Sequence, residues 1–283
     1  MAYQTLDVQK TPAGIGLVWL NRPDLRNAFN DTVIAELTAS FRELEADGAI
    51  RAIVLAGHGK AFCAGADLNW MKKMAGYTFE QNYEDALGLA NMLHTIYSVK
   101  KPTIARVHGP AFAGGVGLVA ACDIAVAAHS AEFCLSETKL GLVPATISPY
   151  VIAAMGERAA HRYMLTAEPF TAAEAYRVGL VQEIARDEEL DETINQILGH
   201  LVLGAPAAHA ATKDLIRAVG RRPLSPDLIT DTATRIAAAR ASEEGKEGIR
   251  AFLEKRKPSW VANQGSGKRP AAKAAGRGRK QAG

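Results

Sequence analysis

Short apolar runs alternate along this chain with longer stretches in which apolar residues recur at every third or fourth position. Gly14 to Leu20, Arg51 to Ala56 and Pro102 to Val107 are runs of the first kind and predict strands. Asp31 to Ala46 is of the second kind. Its Val33, Ile34, Leu37, Phe41 and Leu44 fall at helical spacing, and Asn30 or Asp31 can cap the helix they predict. A further helix is expected around Asp85 to Tyr97 and a short one over Val116 to Ala121. Between the first two helices, Met71 to Tyr83 is polar and dotted with aromatics, a candidate mobile wall of a pocket. Strand and helix signals alternating in this way predict a layered α/β core.

Two of the predicted strands run into glycine-rich turns, Phe62-Cys-Ala-Gly-Ala-Asp67 and His108-Gly-Pro-Ala-Phe-Ala-Gly-Gly115. Each turn can present backbone N–H groups at the end of an element, and the helix that starts after Gly115 adds positive potential to the second. One such turn alone reads as an ordinary connection. Two converging N–H groups make an oxyanion hole, and the carboxylate of Glu137 follows the second turn by about twenty residues. A carboxylate beside such a hole is suited to moving protons next to a thioester carbonyl, because the hole holds the enolate that forms when charge shifts onto oxygen. Neither turn is a nucleotide loop: Gly57-His-Gly-Lys60 lacks the earlier glycine and the following Ser or Thr of a P-loop, and no GxGxxG follows a first strand.

At 283 residues and 48% hydrophobic composition the chain suits one domain, or one domain with a helical appendage. The apolar runs Val116 to Ala121 and Ile124 to Ala128 are interrupted by Cys122-Asp123 and fall short of a membrane span. The first residues lack the basic region and apolar core of a secretory signal, so the cytosol is the expected compartment. Cys63, Cys122 and Cys134 have no CxxC spacing and read as small buried residues, and the seven histidines form no HExxH or comparable cluster, so no metal is expected. The net charge of +3 is unevenly spread. Residues 264 to 283 hold six Lys or Arg and no acid, leaving the body near −3. That tail is expected to be disordered, and reads either as a polyanion-binding arm, able to make weak nucleic-acid contacts, or as a solubilising extension.

Asn21-Arg-Pro with Asn27-Ala28, Ala61-Phe-Cys-Ala-Gly-Ala-Asp67, the Gly109 to Gly115 turn, Ala121-Cys-Asp123, Phe133 to Pro144 and Phe252-Leu-Glu-Lys-Arg-Lys257 occur in an order that resembles the enoyl-CoA hydratase/isomerase (crotonase) superfamily over roughly residues 5 to 260. The resemblance implies an α/β crotonase fold: a spiral of ββα units forming two roughly perpendicular sheets, with a C-terminal helical region. It divides the chain into a spiral core with the acyl-CoA site (1–200), a helical trimerisation region (201–262) and the basic tail (263–283), and it implies homotrimers that pair into homohexamers. By the same resemblance the N–H groups of Ala66 and Gly114 form the oxyanion hole and Glu137 is the acid/base. Gly114→Pro would then remove one donor. The CoA would run past Arg26, Ala28, Ala64 and Gly65, beside Asp67 and Gly117, with Phe252 and Lys255 near the adenine from a neighbouring subunit. Coenzyme A comes as part of the substrate, and no separate cofactor is implied. Asp67 is expected to cap the helix after the first turn, Asp123 to bond local backbone, and Glu137 has an alternative as an ordinary cap.

The departure from the pattern is Gly117, where hydratases of the two-glutamate type carry their other carboxylate. One glutamate suits a 3-enoyl-CoA to 2-enoyl-CoA isomerase, which needs a single base to move a proton, yet one carboxylate can also orient water and deliver a proton in a hydration. The run from Phe133 to Ala160 is similar to bacterial methylglutaconyl-CoA and isohexenylglutaconyl-CoA hydratases, which implies leucine or acyclic-terpene breakdown and a substrate with a second carboxylate. Lys72, Lys73, Lys139 and Arg158 are the candidate cations for it, and Asn69, Tyr77 and Tyr83 candidate polar groups of the pocket.

Overall fold

Two strands open the chain, β1 (Leu6–Lys10) and β2 (Ile15–Leu20), antiparallel with Leu6 opposite Leu20. The Asn30 side chain then accepts the Val33 N–H at 3.0 Å and starts α1 (Asp31–Ala46), whose five predicted apolar residues are all buried. β3 (Ala52–Gly57) lies parallel to β2, and after α2 (Leu68–Met74) and α3 (Phe79–Ser98) comes β4 (Thr103–Val107), parallel to β3. β5 (Ala111–Phe112) and α4 (Gly114–Ala121) lead to β6 (Ile124–Ala128). Next come β7 (Glu132–Cys134), α5 (Ser148–Thr166, broken at Gly156), β8 (Phe170–Thr171), α6 (Ala172–Arg177) and β9 (Glu183–Ala185). Five helices complete the described residues: α7 (Leu190–Leu201), α8 (Pro206–Val219), α9 (Pro226–Ala241), α10 (Glu243–Leu253) and α11 (Ser259–Ala262). This computed structural model describes residues 3–220 and 222–262; the basic tail and both readings of it lie outside the described residues.

The strands form a six-stranded sheet, β1-β2-β3-β4-β6-β9, parallel from β2 onward, and a three-stranded sheet, β5-β7-β8. Helices cover both faces of the larger sheet, so β2, β3 and β4 are buried at every position. Val18, Leu20, Ile53, Leu55, Ala105 and Val107 pack with α1, α3 and α4; the alternate residues Leu17, Trp19, Val54, Ala56 and Ile104 pack on Leu190, Ile194 and Leu198 of α7.

Parallel strands put like ends on one edge. The chain leaves β3 and β4 at the edge where both glycine turns lie, whereas α8 is fastened to the edge where they begin. Lys213 of α8 donates to the Lys101 carbonyl (2.8 Å), just ahead of β4, and pairs with Asp123 (2.6 Å), just ahead of β6. Arg51, at the head of β3, donates to the carbonyls of Gly204 (2.6 Å) and Trp260 (3.2 Å).

Two expectations are corrected here. Asp123 does not bond local backbone; its carboxylate accepts the N–H and hydroxyl of Thr103 (2.8 and 2.9 Å) on the neighbouring strand, besides Lys213. Met71 to Tyr83 is not a break ahead of a helix that begins near Asp85. Most of it is helical, with Thr78 and Gln81 forming a reciprocal capping box that starts α3 well ahead of Asp85. The three cysteines are unpaired and buried, and burial pushes the Cys63 and Cys122 thiols up to about 12. Among the described residues no helix is long and apolar enough to cross a membrane.

Candidate active site

The two residues of β5 are bonded along both edges. On one side Phe112 N–H donates to the Cys63 carbonyl (2.9 Å), and the N–H groups of Phe62 and Cys63 donate to Pro110 (3.0 and 3.2 Å). On the other, Ala111 lies opposite Phe133 and Phe112 opposite Cys134 of β7, and Ala113 N–H donates to the Cys134 carbonyl (2.7 Å). The first turn, the second turn and the segment that reaches Glu137 shortly after Cys134 are therefore held side by side by main chain alone.

Phe29 aligns the two turns. Its N–H donates to the Gly65 carbonyl (2.7 Å) and its carbonyl accepts the Asp67 N–H (2.8 Å), so Ala66 is bracketed and its own N–H is directed away from Phe29. The Phe29 ring lies against Gly114, where a Cβ would meet Cε2 at 2.4 Å. Neither the Ala66 nor the Gly114 N–H donates to a backbone carbonyl among the described residues, and Gly114 also opens α4. Gly114→Pro is consequently not a clean deletion of a donor, because the proline ring would be driven into Phe29.

Glu137 begins a 3₁₀ turn that runs to Leu140, and Ser136 stands at the N-cap without a side-chain bond, so Glu137 is not the cap of this turn. Its Oε2 is buried and has no hydrogen-bond partner. Burial pushes its carboxyl above the ordinary value, with its own N–H pulling weakly the other way. A buried carboxylate oxygen without a partner is costly in a resting structure, and clefts that do proton transfer are where such groups collect.

Gly117 faces Ile147, the residue just ahead of α5. A Cβ on Gly117 would lie 2.2 Å from Ile147 Cγ2 and 2.8 Å from its Cβ. The place where two-glutamate hydratases hold their other carboxylate is thus filled with hydrocarbon, and Ile147 is itself buried.

The remaining predicted residues divide into two groups. Arg26, Ala28, Ala64 and Gly65 come together on one rim: the Arg26 carbonyl accepts the Ala64 N–H (3.0 Å), and Ala28 is adjacent to Phe29. Asp67 caps α2, accepting the N–H groups of Asn69 (2.8 Å) and Trp70 (3.3 Å), and pairs with Arg22 (2.9 Å), which also donates to the Ala28 carbonyl (2.6 Å). Burial pushes the Asp67 carboxyl up, but these donors outweigh it and hold it below the usual range. Its carboxylate is occupied in placing Ala66. Phe252 and Lys255 are not brought to the rim of their own chain. Phe252 is 81% exposed at the end of α10, and Lys255 follows it with a left-handed φ of 54°, in the helical region fastened to the opposite edge of the sheet. Of the candidate cations, Lys73 is drawn toward Asp31 (4.0 Å), while Lys72, Lys139 and Arg158 are exposed with no ion-pair partner among the described residues.

Four residues that shape the site carried little signal in the sequence. Asn27 is buried with φ 57°; its side chain donates to the His58 and Ala61 carbonyls (2.8 Å each) and accepts the Arg22 N–H (3.0 Å), tying the loop after β2 to the loop after β3. Besides its place in the Asn27-Ala28 match, asparagine's tolerance of left-handed backbone is the clue that the sequence offers. Phe29, Ala113 and Ile147 act through contacts distant in sequence, which periodicity does not reveal.

Comparison with known proteins bears on the family and the fold. Residues 10–263 match the model of the enoyl-CoA hydratase/isomerase family. A crystal structure of an enoyl-CoA hydratase from Shewanella pealeana is 41% identical, with 91% of this chain and 96% of that one covered and a TM-score of 0.88. A Legionella pneumophila structure provisionally named enoyl-CoA hydratase/isomerase (crotonase) is 44% identical, covering 92% of this chain and 100% of that one with a TM-score of 0.86. A Thermus thermophilus protein that bears the provisional name enoyl-CoA hydratase is 38% identical over 258 residues, 89% of this chain and 100% of its own.

Proposed function

The chain belongs to the enoyl-CoA hydratase/isomerase family, and on that footing we propose that it is a hydro-lyase, adding water across the 2,3 double bond of a branched, glutaconyl-type enoyl-CoA such as 3-methylglutaconyl-CoA. Glu137 is the single acid/base, and the N–H groups of Ala66 and Gly114 hold the thioester oxygen. The observation that carries this reading is the buried, unpartnered Oε2 of Glu137 in a segment stitched to two turns in which the Ala66 and Gly114 amides have no backbone acceptor among the described residues.

In the step, a water oxygen bonds to C3 while the Glu137 carboxylate takes its proton. The C2=C3 electron pair moves onto the thioester oxygen, where the two amides stabilise the enolate; donors of this kind are each worth roughly 10²- to 10³-fold in rate. The enolate then collapses, C2 takes the proton from Glu137, and the 3-hydroxyacyl thioester leaves with the carboxylate regenerated. No redox group or metal takes part. Ile147 above Gly117 supports a one-carboxylate mechanism, since no side chain fits there.

The second carboxylate of the substrate would be met by a cation from the α2 side or the Glu137 turn, where Lys72 and Lys139 lack ion-pair partners among the described residues. The chain works as a homotrimer or homohexamer in the cytosol, with Phe252 and Lys255 serving the adenine end of another copy. Their position across the sheet from their own Arg26–Ala64 rim supports that arrangement.

The test follows the conjugated enoyl-thioester absorbance of 3-methylglutaconyl-CoA with purified protein and with Glu137→Gln. Loss of absorbance with water incorporated, abolished by the substitution, is the expected result. No loss, with a rise when a 3-enoyl-CoA is supplied, would make the protein an isomerase.

A further inference from the structure

The two amides of the proposed oxyanion hole belong to the peptide bonds Gly65–Ala66 and Ala113–Gly114. The residues that immediately precede them lie side by side with no room for a second side chain: a Cβ placed on Gly65 would lie 3.1 Å from the Ala113 Cβ and 3.1 Å from the Phe112 carbonyl oxygen. Gly65 has φ 88°, which glycine adopts without strain, but Ala113 is an alanine at φ 47° and ψ −118°, a conformation that costs an L-residue. That strained conformation is fixed from both sides. The Ala113 N–H donates to Cys134 (2.7 Å), and its carbonyl accepts the Val116 N–H (2.9 Å). A glycine would meet the same backbone demand without the strain, so the methyl group needs a reason.

We infer that Ala113 is a positioning residue whose methyl, wedged against Gly65, sets the gap between the two oxyanion donors and keeps the Ala113–Gly114 peptide from rotating. The inference rests on the oxyanion-hole reading above. The ψ of Ala113 aims the Gly114 N–H, and the methyl is the only side-chain atom of residue 113 that can limit how closely the Gly65–Ala66 peptide approaches it. Misplacement of a reacting group by about an ångström can cost on the order of 10²-fold in rate.

The experiment compares Ala113→Gly and Ala113→Ser with the unmodified protein. Expected for Ala113→Gly is a fall in kcat of about 10- to 100-fold, with KM within about twofold and a melting temperature equal or higher, since strain is relieved. Ala113→Ser keeps the Cβ and should recover most of kcat. A second readout, independent of Glu137, uses the Glu137→Gln background and acetoacetyl-CoA, whose enolate absorbance at fixed pH reports how strongly the two amides hold an oxyanion; Ala113→Gly should lower the enolised fraction. Unchanged kcat and enolate in Ala113→Gly, a fall in kcat matched by a fall in melting temperature, or no recovery in Ala113→Ser would each overturn the inference. If unmodified protein fails to turn over 3-methylglutaconyl-CoA, the function proposed above falls while the enolate comparison still decides the role of Ala113. A protein that stabilises no enolate at all overturns both.

Discussion

Ile147 stands where a side chain on Gly117 would have to go, 2.2 Å from the position of its Cβ, with Leu93 Cδ2 behind at 3.6 Å. All three residues are buried. Gly117→Ala is expected to destabilise by about 1–3 kcal/mol through overpacking, and Ile147→Ala by about 2–5 kcal/mol through the cavity it leaves. The double variant should recover part of the loss, because each change makes room for or fills in the other. Denaturant midpoints of the three variants check this, and strict additivity would show that the two positions are not in conflict.

Burial raises the Glu137 carboxyl above its ordinary value of 4.5. In the proposed step the carboxylate accepts the water proton, so kcat/KM should fall as the pH is lowered through that raised pKa, giving an acid limb displaced upward from that of an exposed glutamate. Glu137→Gln should lose about 10²- to 10⁴-fold in kcat and show no such limb. Rate profiles of both proteins between mildly acidic and neutral pH are the measurement.

The same burial has a stability consequence of opposite sign. A carboxyl whose folded pKa exceeds its unfolded one is penalised when ionised: stability is highest below the unfolded pKa and is lost as the pH rises through the folded one. Glu137→Gln should therefore melt higher than the unmodified protein at neutral pH, and the difference should vanish as the pH is brought down through the glutamate range. Thermal scans across that range would refute this if the gain were constant.

Asn27 satisfies two carbonyls and one amide from a buried, left-handed position. Asn27→Ala strands those groups and should cost about 2–5 kcal/mol. Asn27→Gly strands the same groups yet avoids the left-handed strain, so it should be the more stable of the two by about 1 kcal/mol. Urea titrations of both would reveal the order, which is the reverse of what glycine and alanine do in an ordinary helix.

Lys213 is buried and holds α8 to the sheet through Asp123 and the Lys101 carbonyl; burial pulls its pKa down, and Asp123 opposes that. Lys213→Met should cost about 3 kcal/mol, the lower end for removing one member of a buried pair, because Asp123 keeps both bonds from Thr103. Activity per folded molecule should be unchanged, since this fastening lies across the sheet from the glycine turns. A specific-activity assay beside the denaturation curve tests both halves.

What the sequence revealed followed from local periodicity. The apolar stripe of α1 is complete, and the strands before each glycine turn are placed to within a residue because most of their positions are apolar. The sequence predicts only the later part of α3 because its buried residues, Met92, Leu93, Thr95 and Ile96, all fall in its last half, so the first half has no stripe to announce it. β1 carries no strand signal for a similar reason: Leu6 is its one fully buried residue. At the site, glycine-rich turns pointed to main-chain donors, but the parts that set their geometry did not show. Phe29 and Gly114, Gly65 and Ala113, and Gly117 and Ile147 are pairs joined only once the sheets are assembled.

The proposed oxyanion donors of this molecule are main-chain atoms, and that shapes how its site would look to mutagenesis. An alanine scan passes over Ala66 and Ala113 without changing them, and registers Gly114 only as a packing fault against Phe29. The map it drew would be a ring of sensitive neighbours, Phe29, Asn27 and Glu137 among them, around a silent centre that holds two of the three proposed contacts to the reacting thioester.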